Sequence, residues 1–145
     1  MKFGIKICIF ISLFLTCRGI IKQSIEVTGR FFCLGKPANN VYIQLMEEDL
    51  FSDDILARSK SDSNGFFSMF GIDKELSFID PYISFKLECP KGTFLFGNNT
   101  VKLYVPRRAF KYFRGKYRFS YDFKDIELNK IYLKKNYDIN NLRYK

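Results

Sequence analysis

The chain has 145 residues, with 24 basic and 15 acidic side chains, a formal charge of +9 and no histidine. Apolar residues make up 47% and aromatic residues 18%, enough for a hydrophobic core in a chain whose length suits one domain. Without histidine there is no Ser-His-Asp or Cys-His nucleophile pair and no His-ligated zinc, so most familiar hydrolase chemistry is excluded.

Residues 1–19 read as a secretory signal peptide. Lys2 and Lys6 form a basic start, and Ile7 to Cys17 is an uncharged apolar run of eleven residues. That run suits a signal-peptide core and is shorter than the ~20 residues a membrane helix needs. Cys17 and Gly19 place small side chains for cleavage before Ile20; the alternative is an uncleaved anchor. Removal of this segment takes Cys8, Cys17 and three basic residues, leaving Cys33, Cys89 and 21 basic against 15 acidic groups. The remaining charge is lopsided. Residues 20–100 hold eight basic and eleven acidic groups, whereas 101–145 hold thirteen and four. Asn98-Asn99-Thr100 adds an N-glycosylation sequon at Asn98 in a polar stretch, as expected of a secreted chain.

From residue 20 onward the pattern is that of strands. Ile25, Val27, Phe31 and Cys33 alternate with Glu26, Thr28 and Arg30, the period of a half-buried strand. After the turn cluster Lys36 to Asn40, alternation resumes at Val41, Ile43 and Leu45. An acidic run, Glu47-Glu48-Asp49 and Asp53-Asp54, precedes a short strand around Ile55 to Arg58. Asp62-Ser63-Asn64-Gly65 is a tight-turn signal, since Asn and Gly tolerate positive φ, and it leads into Phe66 to Phe70. Asp73 to Ser77 is the only helical candidate. Ile83, Phe85, Leu87 and Cys89 alternate next, followed by Val101, Leu103 and Val105, and Tyr117 to Leu128 supplies a last strand. About seven short strands separated by turns predict an all-β antiparallel sandwich over residues 20–128. Residues 129–145, rich in Lys, Asn and Tyr, predict a basic and poorly ordered tail.

Cys33 and Cys89 each share parity with the inward residues of their strands, so a bridge inside the sandwich is expected; two buried free thiols are the alternative. The acidic run could offer oxygen ligands to calcium, but its spacing departs from the EF-hand loop, and it reads as a solvated loop with no metal. Arg107, Arg108, Lys111, Arg114, Lys116 and Arg118 are interleaved with Phe110, Tyr112, Phe113, Tyr117 and Phe119. This stretch suits anionic lipid headgroups or sulfated glycans better than nucleic acid, which a secreted protein seldom meets. The alternative is a soluble loop whose aromatic residues pack on the sandwich edge.

Several ordered segments resemble secreted nematode transthyretin-like proteins. They are Gln23 to Arg30 running into Phe31-Phe32-Cys33-Leu34-Gly35-Lys36-Pro37-Ala38, Val41 to Leu45 ahead of Glu47-Glu48-Asp49, and Asp62 to Phe67. Ile79-Asp80-Pro81 with Cys89, and Tyr121-Asp122-Phe123 with Ile126-Glu127-Leu128, continue the likeness over residues 22–128. The resemblance implies a prealbumin-like sandwich in an extracellular or cell-surface setting, with no catalytic residues and no cofactor. Hydroxyisourate hydrolases, a related branch, use histidines and a C-terminal Tyr-Arg-Gly-Ser motif, and this chain has neither. Neither the ligand nor the tetramer of vertebrate transthyretin carries over. Many nearer relatives have two further cysteines, absent here. The expected function is surface recognition of an extracellular or cell-surface protein, a host protein in a parasite, or an anionic lipid or glycan. The alternative is a carrier of a small apolar ligand in a sandwich or inter-subunit cavity.

Overall fold

The longest alternation in the sequence becomes the central strand. β1 (Ile21–Cys33) buries Gln23, Ile25, Val27, Gly29 and Phe31 and turns the intervening residues outward. The structure, a computed structural model, describes residues 20–75, 77–89, 99–114 and 116–131. The expected signal peptide and Asn98 lie outside these residues, as does the expected tail beyond Ile131.

Eight further strands are present among the described residues. They are β2 (Lys36–Pro37), β3 (Tyr42–Glu47), β4 (Asp54–Lys60), β5 (Phe66–Glu75), β6 (Pro81–Lys86), β7 (Thr100–Tyr104), β8 (Phe110–Phe113) and β9 (Lys116–Glu127). One sheet has the order β2-β1-β9-β8, with β5 also pairing β1; the other has the order β4-β3-β6-β7. The two sheets enclose one core, in which the Phe31 ring stacks on Phe67 at 5.0 Å and meets Phe85 edge-on at 4.8 Å. The expected all-β sandwich is therefore present.

Four details differ from the expectation. The pairing of β1 with β9 is parallel, whereas every other strand pair is antiparallel. β5 does not stop at Phe70. It continues through Asp73, Lys74 and Glu75, because the start of β1 from Ile21 to Ser24 offers it a hydrogen-bonding partner, and no helix forms there. β9 carries a bulge: Thr28 faces Asp122 but Arg30 faces Asp125, so one extra residue is absorbed near Lys124, which has φ 60°. The bulge switches the buried parity from Phe119 to Ile126 and Leu128. Finally, residues 128–131 form one helical turn with Leu128 and Ile131 buried against the core, so packing extends past the expected boundary at Leu128.

Turn chemistry follows the residues. The Asp62 carboxylate accepts hydrogen bonds from the backbone N–H groups of Asn64 and Phe66, both at 2.8 Å. Gly65 takes φ 76°, and its carbonyl accepts the Phe31 N–H at 2.8 Å, locking the turn to β1.

Candidate functional site

Cys33 at the end of β1 and Cys89 just after β6 are bonded, with Cα atoms 5.6 Å apart. The bridge joins the two sheets as the shared inward parity required, and the two-free-thiols alternative is excluded. The ladder pairings decide what the basic residues can do together.

Arg118 on β9 lies opposite Ser24 of β1 on one side and Lys111 of β8 on the other, and Ser24 lies opposite Ile72 of β5. These residues form one row on the outer face of the first sheet. Lys116 shares Arg118's parity, and Lys22 and Lys74 face each other across β1 and β5 at the same end. Five exposed basic side chains therefore share this face with Phe70 and Ile72, which are 59% and 45% exposed. A groove of about 630 Å³ runs among them, lined by Ile20, Lys22, Phe70, Ile72, Lys116 and Arg118. Glu26 lies opposite Phe70 on this face, and Asp122 lies further along it, opposite Thr28.

The other expected basic residues go elsewhere. Arg107 and Arg108 sit on a 3-10 turn, with Arg107 paired to Asp80 at 3.3 Å and Arg108 lining a separate groove beside Tyr121 and Phe123. Arg114 occupies the β8–β9 turn at φ 49°. Phe110, Tyr112, Tyr117 and Phe119 have the parity opposite to Lys111 and Arg118, although Tyr117 also lines the edge of the basic groove. Phe110, Tyr112 and Tyr117 pack on one another, and Phe78 closes on Phe110 at 4.8 Å and Tyr117 at 5.4 Å. This packing runs along the sandwich edge. Lys22, Lys74, Phe70 and Ile72 were not among the expected site residues, although their alternation with Gln23, Asp73 and Gly71 was the available signal.

The acidic run is not uniformly solvated. Asp53 accepts from Lys102 Nζ at 2.8 Å and from the Tyr82 hydroxyl, while Tyr104 donates to Glu48 at 2.6 Å. The Lys102 and Tyr82 hydrogen bonds hold the Asp53 carboxyl below its usual range. Glu47, the last residue of β3, points inward and is 3% exposed. Burial, contact with Asp73 and the nearby charges of Asp49 and Glu75 push its carboxyl up to about 8. The solvated-loop reading is thus corrected for Glu47, because it shares parity with core residues Ile43 and Leu45.

The profile of the transthyretin-like family matches residues 28–106, more than half of the chain. The chain belongs to the transthyretin-like family. Among curated relatives, Transthyretin-like protein 2 of Caenorhabditis elegans is 42% identical over 77 residues, covering 48% of this chain and 52% of the relative. Transthyretin-like protein 1 of the same organism is 40% identical over 78 residues, covering 48% and 50%. Transthyretin-like protein 46, also from that organism, is 40% identical over 87 residues, covering 59% and 49%. This transthyretin-like chain spans about half the length of the curated relatives it matches. Among solved structures, a 9R-lipoxygenase from Cyanothece aligns at a TM-score of 0.38 and 19% identity, over 75% of this chain and 16% of that one. The family match runs from the middle of β1 through β7 and includes the acidic cluster. Lys111, Lys116 and Arg118 lie beyond it, on the β8–β9 hairpin.

Proposed function

We propose that this transthyretin-like protein is a secreted, non-enzymatic binding protein that recognises an anionic extracellular surface through the outer face of its first sheet. The observation that carries the reading is that Lys22, Lys74, Lys111, Lys116 and Arg118 share one sheet face with exposed Phe70 and Ile72. Each basic residue near an anionic membrane contributes roughly 1 kcal/mol, and exposed apolar side chains among them add contact area. A nematode-type extracellular setting is supported by the family match and by the basic, apolar start of the sequence.

The test is co-sedimentation with phosphatidylserine vesicles alongside heparin retention, each across a salt series. Wild type should bind one or both, and binding should fall steeply with salt because screening acts over about 8 Å at physiological ionic strength. Replacing Lys111, Lys116 and Arg118 by Ser should abolish it, whereas replacing Arg107 and Arg108 should not. Equal binding by wild type and the triple variant would overturn the reading. Vesicle binding without heparin retention would identify a lipid headgroup, and the converse a sulfated glycan.

A further inference from the structure

The inward rows of two facing strands end in acids. On β3 the row runs Ile43, Leu45, Glu47; on β5 it runs Phe67, Met69, Gly71, Asp73, Glu75. Each row is apolar through the core and turns acidic at the same end of the sandwich. Asp49 joins from the start of the loop after β3. One carboxylate oxygen from each of Glu47, Asp49 and Glu75 lies within 4.8 Å of the other two. Glu47 is almost wholly buried and lies within hydrogen-bonding reach of the Asp73 side chain. Ionised carboxylates only accept, however, and among the described residues neither Glu47 Oε2 nor the buried Asp73 Oδ2 has a donor. The neighbours acting most strongly on Glu47 are Asp73, Asp49 and Glu75, all of them acids. Lys102 satisfies Asp53 and reaches Glu48, on the outer side of the loop.

Buried carboxylate oxygens normally find a donor, since leaving one unpaired costs as much as losing a charged hydrogen bond. Here the compensating charge is either a proton shared between Glu47 and Asp73 or a cation that takes oxygens from both sheets at once. We propose that Glu47, Asp49 and Glu75, with Asp73 beside them, form a divalent-cation site that takes calcium. Calcium binds six to eight oxygens at about 2.3–2.6 Å, so ligand oxygens around one ion lie up to about 5 Å apart, as these three do. An all-carboxylate set without nitrogen or sulfur selects a hard cation over zinc or copper. Magnesium demands a tighter octahedron at about 2.0–2.1 Å and gives up its water reluctantly, which fits a set drawn from two strands and a loop less well. A bound ion would tie β3 to β5 across the open end of the sandwich, at the end where no disulfide does so.

The experiment is calorimetric titration of the oxidised, EDTA-treated protein with calcium chloride, together with thermal unfolding at 0 and 10 mM calcium. Wild type should bind one ion with a Kd of about 0.1–1 mM, the range of extracellular calcium modules. Its Tm should rise by about 5 °C or more at 10 mM through binding to the folded state alone. Glu75→Gln and Asp49→Asn, both at partly exposed positions that should leave the fold intact, should each weaken binding at least tenfold. Glu26→Gln, an equal charge change on the outer face, should leave the response as in wild type. No heat and no Tm shift in wild type would overturn the proposal and leave a proton shared between Glu47 and Asp73 as the compensating charge. An unchanged response in Glu75→Gln and Asp49→Asn would overturn it as well, as diffuse surface binding. Magnesium affinity equal to that for calcium would overturn the assignment of the ion.

Discussion

Lys102 Nζ lies 2.8 Å from Asp53 Oδ2, and the contact fastens the 48–53 loop across the outer surface of β6 and β7. It explains an otherwise odd burial pattern. Tyr82 has the outward parity of β6, opposite to Ile83, yet is only 1% exposed. The loop covers it, its hydroxyl donates to Asp53, and Lys102 sits 4.3 Å above its ring. Tyr104 secures the other end of the loop through Glu48, so Leu50 and Phe51 stand at the tip, 96% and 100% exposed.

Lys102→Met should therefore release the loop before it unfolds the domain. The ion pair is partly exposed, at 40% and 26% for the two side chains, so solvent screening limits its worth to about 1 kcal/mol. Amide exchange in residues 48–54 should accelerate strongly while that of the β1 core amides changes little. Unchanged exchange in the loop would show that Tyr104 and Glu48 suffice to hold it.

Gly65→Ala should be among the most damaging single changes. A Cβ there would sit 2.2 Å from the Phe31 carbonyl oxygen, and the residue holds φ 76°. Strain at positive φ and displacement of β1 act together, so a loss of about 2 kcal/mol or more is expected in urea unfolding. Gly35, at φ 73° with open space around its Cβ position, is the control. Gly35→Ala should cost only about 1 kcal/mol.

The bridge between Cys33 and Cys89 spans 56 residues of sequence. A crosslink closing a loop of that length stabilises by about 4 kcal/mol in the chain-entropy description. The Cys33→Ala, Cys89→Ala double variant should lose about 2–5 kcal/mol, and reductant should produce the same fall in the wild-type melting temperature. A double variant as stable as wild type would mean that Leu87, Leu128 and Ile131 hold the two sheets together at this end without help.

The parts of this molecule that could be read from residue order are those set by local periodicity. Alternation located the cores of β1, β3, β6, β7 and β9, and the inward parity of Cys33 and Cys89 anticipated their bond. Asp62 to Gly65 announced its own turn. What escaped was decided by distant partners. Asp73 to Glu75 became strand because Ile21 to Gln23 lay alongside. That one extension places Lys74 on the outer basic face and Asp73 and Glu75 beside Glu47. The parallel pairing of β1 and β9 has no local signature either. The switch of apolar parity from Phe119, Tyr121 and Phe123 to Ile126 and Leu128 did mark the bulge, whose geometry is held by Asp122 accepting the Lys124 N–H at 2.9 Å.

The Asp53, Tyr82 and Lys102 cluster should add a fall in stability at each end of the pH range. Both falls lie outside the interval from about 4.5 to about 8 in which the raised Glu47 carboxyl lowers stability as pH rises. Asp53 is held below its usual value, first by Lys102 and then by Tyr82, so its stabilising contribution is present above the unfolded carboxyl range near 3.8 and is lost as pH falls through the lower folded value. Tyr82 is raised to about 12, chiefly by burial and next by its bond to Asp53. Its folded phenol keeps a proton that the unfolded chain releases near 10, so stability declines as pH climbs from about 10 through about 12. Lys102 is raised as well by Asp53 and Tyr82, against the opposing effect of burial, and its contribution is lost in the same alkaline direction. Urea midpoints followed across pH should show both falls. Asp53→Asn should flatten the acid limb and bring the Tyr82 transition, read by ultraviolet tyrosinate absorbance, back toward 10. If every tyrosine of the wild type titrates together near 10, Tyr82 is not sealed beneath the loop and the covering role assigned to Asp53 fails.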